Sequence, residues 1–425
     1  MAKPIQVLMI VENCHVPGDQ RVWNEATLLR DNGFEVSIIC PKGDKVYQES
    51  YVCIEDIHIY RYHAPVVEGK YLSYIVEYSN ALLKIFLLSM KILFMRGFDV
   101  IHVANPPDFL FLLGLCYRPL GKKFVFDQHD LMPELFKTKF GYRLEFLYKL
   151  HLFFEWCSYQ TAHLVIVTNE TQKRVAIERS GRRSVAHKVF VVRNGPNLNR
   201  IKPVAPEIEL KQGKRYLLAY LGVMEVQDGV EHALYAVHDL VYKRNRQDVF
   251  CVLMGNGGHV AQLTELAHTL GLDEYTKFTG WTDAKDIVRY LTVADIALSP
   301  DPKNGLNETC TMVKTMEYMA MGKPVVAFDL AETRFSAQDA ALYATPNVVE
   351  EFAEKIEQLL DDEELRVKCG SIGRKRVEEE LHWGKMKGYL LCAYEALFLG
   401  EHKSYGQLHP LTKSGESSCT SRAER

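Results

Sequence analysis

Short runs of β-branched and aromatic residues alternate with longer segments of helical periodicity along almost the whole chain. In the first half, seven apolar runs predict strands: Gln6–Val11, Glu35–Cys40, Ile57–Tyr62, Val100–Val103, Lys123–Asp127, Leu164–Thr168 and Lys188–Val192. Helix-period segments separate several of them, for example Arg21–Asn32, which ends at Gly33 as a helix C-terminus should. Strands that alternate with helices predict a parallel sheet covered by helices on both faces.

The same alternation starts again after a polar stretch that contains Pro196, Pro203 and Pro206. Five further runs predict strands: Tyr216–Tyr220, Val249–Met254, Tyr275–Thr279, Ile296–Ser299 and Lys323–Phe328. Four segments predict helices: Gly229–Asn245, His259–Leu270, Lys285–Leu291 and Lys314–Met321. Because polar, proline-containing stretches are typical of linkers, we expect an α/β protein of two tandem Rossmann-like domains, over 1–200 and 207–380.

The end of the chain differs in pattern from both domains. It is predicted to be helical through Phe352–Leu360 and Glu363–Leu397. The last helix, over 381–400, can cross back to the first domain. Residues 401–425 lose the periodicity and are rich in Ser, Lys and Gly, so we expect a disordered tail.

Composition places the chain among ordinary globular proteins. It has 425 residues, of which 47% are hydrophobic and 25% charged, and a net charge of −3. These values exclude collagen and coiled coil and give no basic field for nucleic acid. The ten cysteines include no C-x-x-C pair, which favours reduced thiols in a cytoplasmic protein over disulfides or a zinc site.

The apolar segment Tyr71–Arg96 raises the question of a membrane span. Charged residues interrupt it, so no uncharged run reaches the roughly 20 residues that a span requires, and we expect no transmembrane helix. Basic residues lie beside large apolar ones here and further along: Lys84, Lys91, Arg96, Lys122, Lys123, Lys137, Lys139, Arg143 and Lys149. They fit either a solvated surface or peripheral contact with anionic lipid at the inner face of the membrane.

Residues that follow the predicted strands are the candidates for a ligand site, since ligands bind beyond the carboxyl ends of parallel strands. The segment after the first strand has a single glycine, Gly18, which argues against dinucleotide-binding and P-loop motifs. Gly255-Asn256-Gly257-Gly258 follows a strand of the second domain. It fits either a turn with positive φ or a close backbone approach to phosphate.

The most informative segment is the polar loop and helix over 301–324. Thr309 or Thr311 can cap this helix, and its first N–H groups can bind an anion. Lys314 lies in the first turns. Glu317 lies further in, where its carboxylate either faces solvent or requires partners, because an isolated buried charge is costly.

These motifs, taken in order, resemble those of the family-four retaining glycosyltransferases. The matching segments are Asp19-Gln20-Arg21-Val22-Trp23-Asn24-Glu25-Ala26, Arg193-Asn194-Gly195-Pro196, the Gly255–Gly258 loop, Phe278-Thr279-Gly280-Trp281 and Glu317-Tyr318-Met319-Ala320. The resemblance spans about residues 5–395. It implies a GT-B fold, with a nucleoside diphosphate sugar held by the second domain and a glycan or lipid-linked acceptor held by the first across an interdomain cleft. It also implies transfer of a hexosyl or N-acetylhexosaminyl group, with retention, in cell-surface polysaccharide synthesis, without a separate cofactor.

The resemblance also implies roles for single residues. Glu317 matches the residue that binds the donor ribose, and Met312, Val313 and Lys314 match the segment that binds the diphosphate. His129 matches the residue at the reaction centre, with Asp130 beside it; a structural histidine or a helix cap explains the same pair. Further donor-binding candidates are Thr309, Thr311, Gly255, Gly257, Arg193, Asn194 and Trp281. Asp19 and Arg21 are candidates for phosphate or acceptor contact, unless Arg21 only pairs with Glu25 four residues on.

The chain departs from the family pattern at two places. The usual glutamate eight positions before the ribose-binding one is Thr309, with Glu308 adjacent. The usual basic phosphate clamp is Gly222-Val223-Met224-Glu225-Val226-Gln227-Asp228-Gly229 and lacks both basic residues. Lys314, Arg193 and Lys323 are the candidates to supply that charge, which a leaving diphosphate normally requires.

The sequence has no D-x-D motif, so we predict transfer without a metal and assign no metal ligand. Two alternatives remain open. A nucleotide-sugar epimerase of the same fold would act without an acceptor. A non-catalytic glycosyltransferase-like protein would bind nucleotide without turnover, and the absent clamp favours it.

Overall fold

The computed structural model describes residues 3–43, 46–64, 71–141, 144–181 and 183–398; of residues 71–75, 183 and 184 it describes the backbone alone. The expected tail over 401–425 lies outside this range. The described chain contains two mainly parallel β-sheets, one in each half.

The first sheet has eight strands: β1 Gln6–Val11, β2 Glu35–Pro41, β3 Tyr51–Ile54, β4 Ile57–Tyr62, β5 Val100–Ala104, β6 Lys123–Gln128, β7 Leu164–Val167 and β8 Val189–Val191. Their order is β3-β4-β2-β1-β5-β6-β7-β8, and only β3 runs antiparallel, in a hairpin with β4. The sequence analysis missed β3, because its turn is formed by Glu55 and Asp56, both at positive φ, without a glycine to mark it.

Six helices belong to this half: α1 Gln20–Asp31, α2 Tyr71–Met95, α3 Phe111–Tyr117, α4 Met132–Phe140, α5 Glu145–Thr161 and α6 Glu170–Arg179. Strand β1 is buried along all six residues, as expected of a central parallel strand covered on both faces. The strand order reverses beside β1, where β2 and β5 lie on its two sides, and this places a crevice at the carboxyl ends.

The second sheet is entirely parallel, with strands β9 Tyr216–Leu221, β10 Val249–Met254, β11 Thr276–Gly280, β12 Ile296–Ser299, β13 Val325–Phe328 and β14 Ala341–Ala344. Their order is β11-β10-β9-β12-β13-β14. Six helices accompany it: α7 Val230–His238, α8 Val260–Thr269, α9 Ala284–Val293, α10 Val313–Ala320, α11 Ala331–Ala337 and α12 Val349–Asp361. The helix expected over Gly229–Asn245 is α-helical only to His238 and ends in a π-helical turn, Asp239–Lys243.

Two separate helices, α13 Glu363–Arg376 and α14 Trp383–Phe398, replace the single helix expected over Glu363–Leu397. A π-helical turn and the extended residue His382 break it. The chain at Gly195 lies against this break. A larger residue would not fit there, because a Cβ would lie 2.2 Å from the Leu381 carbonyl oxygen. Beyond the break, α14 packs Met386 and Leu390 into the core of the first sheet.

One helical segment of the described residues, Val76–Met95, is long and apolar enough to span a membrane by length and composition. Core helices pass the same test, so it is weak evidence for a span. Ala81, Ile85 and Ile92 of this segment are buried against the first domain. The helix therefore has a buried face that packs against the first domain.

Candidate active site

The carboxyl ends of the two sheets approach each other, and side chains after β6 and β7 contact the loop before α10. The Asn169 side-chain amide donates to the Thr309 carbonyl oxygen at 2.8 Å and to the Thr311 hydroxyl at 3.0 Å. The Cys310 thiol lies 3.5 Å from a carboxylate oxygen of Asp130. Residues 309–311 and Asp130 therefore lie on facing sides of one interdomain cleft.

His129 lies directly after β6 at this cleft, with its side chain 16% exposed. Its Nε2 is 2.7 Å from Oδ2 of Asp127, the buried residue two positions earlier. The backbone amides of His129 and Asp130 donate to Oδ1 of Asn105, which follows β5. A carboxylate on Nε2 and hydrogen bonds to the backbone thus fix the position of the imidazole.

Asp127 belongs to a buried ionic network with residues of α1. Arg21 donates to both carboxylate oxygens of Asp127, at 2.8 and 3.2 Å, and its Nε is 3.2 Å from Oε1 of Glu25. Burial alone would raise the pKa of Asp127, but the charges of Arg21 and His129 outweigh it and hold that pKa well below its ordinary value. Asp127 is therefore an ionised partner for the His129 ring.

Arg21 and its neighbours have further contacts within the protein. Arg21 is 7% exposed and also donates to the Asn194 side-chain oxygen at 2.8 Å. Asp19 accepts from the Val22 amide and caps α1. Of the two expectations for Arg21, pairing with Glu25 is the one that the geometry shows.

Helix α10 presents an open amino end at the cleft. It begins at Val313, its N-cap residue is Met312, and no side chain caps it. Thr309 and Thr311 were expected as caps, but they precede the N-cap by three and one positions: the Thr309 hydroxyl donates to the Leu306 carbonyl oxygen and Thr311 accepts from Asn169. The first amides of α10 are thereby left for an anion.

Lys314, in the first turn of α10, lies in a buried cluster of charges. Its Nζ is 2.6 Å from Oδ1 of Asp301 and 4.7 Å from the centre of the Tyr220 ring. Burial would lower the pKa of Lys314, but Asp301, Tyr220 and Asp228 raise it well above its ordinary value. Burial raises the pKa of Asp228 to about 6. The position where the family has a clamp lysine thus holds a carboxyl group, and Lys314 supplies the positive charge beside it.

Glu317 follows Lys314 by one turn and has no side-chain hydrogen-bond partner among the described residues. Burial raises the pKa of its carboxyl group to about 7, against a weak opposing effect of Arg200. A half-buried carboxylate without a partner is suited to accept hydrogen bonds from the hydroxyl groups of a ligand.

Two family models match the chain one after the other. The model described as Glycosyltransferase Family 4 matches residues 19–200, and the model described as Glycosyl transferases group 1 matches residues 202–376. The chain belongs to the family-four glycosyltransferases.

Solved structures confirm the expected GT-B architecture of this glycosyltransferase. It matches sucrose-phosphate synthase from Thermosynechococcus elongatus with a TM-score of 0.74 at 18% identity, over 93% of this chain and 100% of that one. It matches the Anabaena protein HepE, solved with UDP-glucose, with a TM-score of 0.70 at 16% identity, over 92% and 100% of the two chains. At these identities the likeness shows the fold.

Curated relatives of the glycosyltransferase transfer sugars. It is 25% identical to the 2-deoxystreptamine glucosyltransferase of Streptomyces kanamyceticus, over 58% of this chain and 64% of that one. It is 26% identical to a Corynebacterium glutamicum enzyme described as a GDP-mannose-dependent monoacylated alpha-(1-6)-phosphatidylinositol monomannoside mannosyltransferase, over 45% of this chain and 51% of that one. The glycosyltransferase therefore matches less than two thirds of the length of either relative.

The remaining donor-site candidates of the glycosyltransferase divide into two groups. Gly255 and Gly257 allow close contact between two loops, since a Cβ would lie 1.9 Å from the Gly222 carbonyl oxygen or 2.4 Å from that of Met224. Trp281 is 78% exposed and adjoins Gly280, whose carbonyl accepts from the Gly255 amide. Only Trp281 offers an accessible ring, as stacking on a nucleotide base requires.

Arg193, also expected at the donor, joins the two domains. Its Nη1 is 3.0 Å from Oε2 of Glu332 on α11, and its guanidinium lies 4.0 Å from the centre of the Phe335 ring. Because the Glu332 side chain is also almost fully buried, this ion pair fixes the relative position of β8 and α11. Lys323, the third candidate for the phosphate charge, donates to the Thr292 carbonyl oxygen at 2.8 Å.

One buried cluster has the donor atoms of a metal site: Glu25, His102 and Asp127, whose ligand atoms lie within 4.8 Å of one another. The Arg21 guanidinium contacts both carboxylates of this cluster. The guanidinium occupies both oxygens of Asp127, and burial raises the pKa of Glu25 well above its ordinary value, so these residues do not fit a metal ion.

Sequence reasoning missed Asp127, Asn105, Asn169, Asp301 and Glu332, each of which supports a predicted residue. Asn105 and Asn169 follow strands, so their position after a strand was the available signal. Asp127 lies in β6 and Asp301 follows β12, but the basic partner of Asp127, Arg21, is distant in sequence.

Proposed function

We propose that this chain transfers a hexosyl or N-acetylhexosaminyl group from a nucleoside diphosphate sugar to a glycan or lipid-linked acceptor, with retention and without a metal ion. The observation that carries the proposal is one arrangement: the uncapped amino end of α10, Lys314 in its first turn and Glu317 in its second open on the cleft that His129 lines. The arrangement combines an anion site at the start of α10, the Glu317 carboxylate as a hydrogen-bond acceptor for hydroxyl groups, and the His129 imidazole on the facing domain.

The donor fits this arrangement from its base to its sugar. The diphosphate would lie at the amides of Val313 and Lys314, and Glu317 would accept from the ribose hydroxyls. Trp281 would stack on the base. The sugar then points toward the first domain, where His129 and Asp130 can hydrogen-bond to its hydroxyl groups.

Transfer breaks the bond between the anomeric carbon and the diphosphate oxygen, which leaves with the electron pair. A hydroxyl oxygen of the acceptor forms the new bond on the same face. Retention therefore places the departing oxygen beside that hydroxyl, so the diphosphate can take its proton. The relative that is described as an alpha-(1-6) mannosyltransferase supports this stereochemistry, and NMR of the product's anomeric proton tests it.

Charges of the protein replace a metal in this proposal. The helix amides and the Lys314 ammonium group stabilise the leaving diphosphate in a partly enclosed site. We predict that excess EDTA leaves the turnover rate unchanged. Loss of activity in EDTA that magnesium or manganese restores would contradict this.

A panel of UDP, GDP and dTDP sugars tests the proposal, with binding followed by calorimetry and products by mass spectrometry. The expected result is tight binding of one donor and a transfer product once an acceptor is added. Glu317→Gln should weaken donor binding, while Glu354→Gln on the exposed side of α12 should not. Isomerisation of the donor alone would indicate an epimerase, and binding without turnover a non-catalytic protein.

We also propose peripheral contact of the first domain with the inner face of the membrane, in cell-surface polysaccharide synthesis. Val76, Leu83, Leu87 and Phe94 are all more than half exposed and recur at seven- and four-residue steps, which places them on one face of α2. Lys84 and Lys91 lie beside that face. An apolar stripe bordered by lysines is typical of interfacial helices.

Flotation with liposomes that contain anionic lipid tests this contact at low salt. The wild-type chain should float with the vesicles, and Leu87→Glu should reduce the bound fraction severalfold. Val367→Glu, at an equally exposed position on α13, is the matched control and should float like the wild type. Equal flotation of all three proteins, or none by the wild type, would contradict it.

A further inference from the structure

A buried cluster of two acids and a second histidine, contributed by α1, β5 and β6, lies behind His129. Glu25 of α1 is fully buried, and His102 of β5 is 1% exposed. Nε2 of His102 is 3.6 Å from Oε2 of Glu25 and 3.6 Å from Oδ2 of Asp127. The same Oδ2 atom lies 2.7 Å from Nε2 of His129. The cluster therefore contacts the His129 ring through one atom of Asp127.

The Glu25 side chain has no hydrogen bond to either carboxyl oxygen among the described residues. Nε of Arg21 lies 3.2 Å from Oε1 of Glu25, but its one hydrogen is donated to Oδ2 of Asp127. An ionised carboxylate that is fully buried without a hydrogen bond is strongly unfavourable. Burial and the negative charge of Asp127 accordingly raise the pKa of Glu25 well above its ordinary value. Glu25 is therefore a neutral carboxylic acid at neutral pH.

The hydrogen of this neutral acid has an acceptor in Asp127. The ligand atoms of Glu25, His102 and Asp127 lie within 4.8 Å of one another, and a hydrogen bond between the two carboxyl groups contributes to the raised pKa of Glu25. Two neighbouring carboxyl groups that share one proton have a single negative charge. Arg21, which donates to both oxygens of Asp127, balances that charge.

The hydroxyl group of Tyr394, on α14, fixes the His102 ring from the other side. It lies 2.7 Å from Nδ1 of His102. Burial raises the pKa of Tyr394 well above its ordinary value, and the neighbouring acids raise it further, so the hydroxyl keeps its hydrogen. When this hydroxyl donates to Nδ1, the neutral ring carries its own hydrogen on Nε2, between the two acids. The other tautomer would present a lone pair to the Asp127 carboxylate, so the geometry favours hydrogen on Nε2.

We propose that Glu25 and His102 are positioning residues for His129. Glu25 remains a neutral acid that donates to Asp127, and the Nε2–H group of His102 holds the two acids in place. Asp127 thereby keeps one oxygen directed at the His129 ring. The inference rests on the proposed function, in which His129 lies beside the transferred sugar. Positioning requires a neutral hydrogen-bond donor at residue 25, whereas packing alone requires only a side chain of similar volume.

Infrared difference spectra of the full chain test the protonation of Glu25 without any substrate. The spectrum of the wild type minus that of Glu25→Gln should contain the carbonyl band of a protonated carboxyl group at neutral pH, and this band should shift in heavy water. A carboxylate band in its place would overturn the inference.

Nitrogen NMR of histidine-labelled protein tests the second positioning residue, again without substrate. The signals of His102 are assigned from the spectrum of His102→Gln. They should show hydrogen on Nε2 in the wild type, and hydrogen on Nδ1 would overturn the inference.

Turnover of nucleoside diphosphate sugars from the panel above separates positioning from packing at residue 25. Glu25→Met keeps the volume but has no hydrogen-bond donor, so it should lower kcat about tenfold or more and leave the donor KM within about twofold. Glu25→Gln keeps a neutral donor and should retain kcat within about twofold of the wild type. Equal kcat values for the two variants would overturn the inference.

Substitutions of His102 and Tyr394 provide an independent comparison. His102→Phe should lower kcat as Glu25→Met does, and His102→Gln should restore most of it, because its amide can donate near the position of Nε2. Tyr394→Phe should lower kcat severalfold. Tyr117→Phe is its matched control and should not, since Tyr117 is also buried with its hydroxyl 2.7 Å from one partner, Ser89. Wild-type kcat in His102→Phe would overturn the inference.

Binding of UDP and GDP to the same variants separates this inference from the proposed function. Glu25→Met and His102→Phe should bind nucleoside diphosphate like the wild type, which also shows that they fold. Failure of the wild type to turn over any donor would contradict the proposed function, while the infrared and NMR spectra still decide whether Glu25 and His102 hold their hydrogens as described.

Discussion

At the residue scale, Glu317 and Lys314 share the open end of α10 but differ in their partners. Lys314 is fixed by Asp301, whereas the described residues leave the Glu317 carboxyl group without a hydrogen bond. A group whose pKa burial raises to about 7 is half protonated at neutral pH. Donor hydroxyls should favour its ionised form, so donor binding should release a proton.

The pH dependence of donor affinity should therefore follow the ionisation of the Glu317 carboxyl group. Affinity of the wild-type chain should increase as the pH rises from 6 to 8 and then level off. Glu317→Gln should bind the donor at least tenfold more weakly at pH 8, since it loses hydrogen bonds to a charged group, and its affinity should vary little with pH. Calorimetry from pH 6 to 8 measures both, and a parallel rise in the variant would contradict the assignment.

Ionisation of Glu317 should lower the free energy of unfolding as the pH rises, whereas it should raise the affinity for the donor. Because the raised pKa means that the folded state binds the proton more tightly than the unfolded state, its contribution is largest below about pH 4.5 and is lost as the pH rises to about 7. The wild-type free energy of unfolding, relative to Glu317→Gln, should fall across that window and be constant above it. Urea denaturation at several pH values measures the difference.

Arg21 tests whether the network behind His129 is structural. Arg21→Met leaves the buried Asp127 carboxylate without its cation, so the free energy of unfolding should fall by about 3–5 kcal/mol. Arg30→Met on the same helix removes a surface ion pair with Glu55 and should cost less than about 1 kcal/mol. Equal effects of the two substitutions in urea denaturation would show that the network contributes little.

Sequence reasoning at this scale identified residues whose role depends on local position. His129 follows a strand and Lys314 begins a helix, and both positions can be read from periodicity. Arg21 was ambiguous because its deciding partner, Asp127, is more than a hundred residues away. Thr309 and Thr311 do not cap α10, because Met312 occupies the N-cap position and the two threonines form hydrogen bonds within the preceding loop and with Asn169.

At the element scale, α14 shows how a local break determines a long-range contact. The extended conformation of His382 turns the chain back, and α14 then packs against α1 and against β7 and β8 of the first domain. The Tyr394 hydroxyl lies 2.7 Å from Nδ1 of His102, which faces Glu25 and Asp127. Helical periodicity alone could not reveal the break, because the residues on both sides of it favour a helix.

Substitutions on α14 should show that this packing stabilises the fold. Leu390 is fully buried, so Leu390→Ala should lower the free energy of unfolding by about 2–5 kcal/mol. Its neighbour Tyr389 is 57% exposed, and Tyr389→Ala should change it by less than about 0.5 kcal/mol. If thermal unfolding gave similar changes in the free energy of unfolding for Leu390→Ala and Tyr389→Ala, α14 would not be packed against the first domain as described.

At the scale of the whole molecule, the two sheets bring their carboxyl ends to a shared cleft, and few direct contacts cross it. Strand and helix alternation predicted the two sheets, the family resemblance implied the cleft between them, and the solved structures confirm the architecture. The contacts themselves, such as Asn169 with Thr311 and Arg193 with Glu332, depend on how the domains are placed. No periodicity within either domain encodes that placement, so the sequence could not predict them.

A crystal structure with a bound nucleoside diphosphate would show where the diphosphate lies. We expect phosphate oxygens about 3 Å from the backbone nitrogens of Val313 and Lys314, with the ribose hydroxyls on Glu317. A diphosphate bound elsewhere, with the amino end of α10 unoccupied, would contradict the proposed donor site.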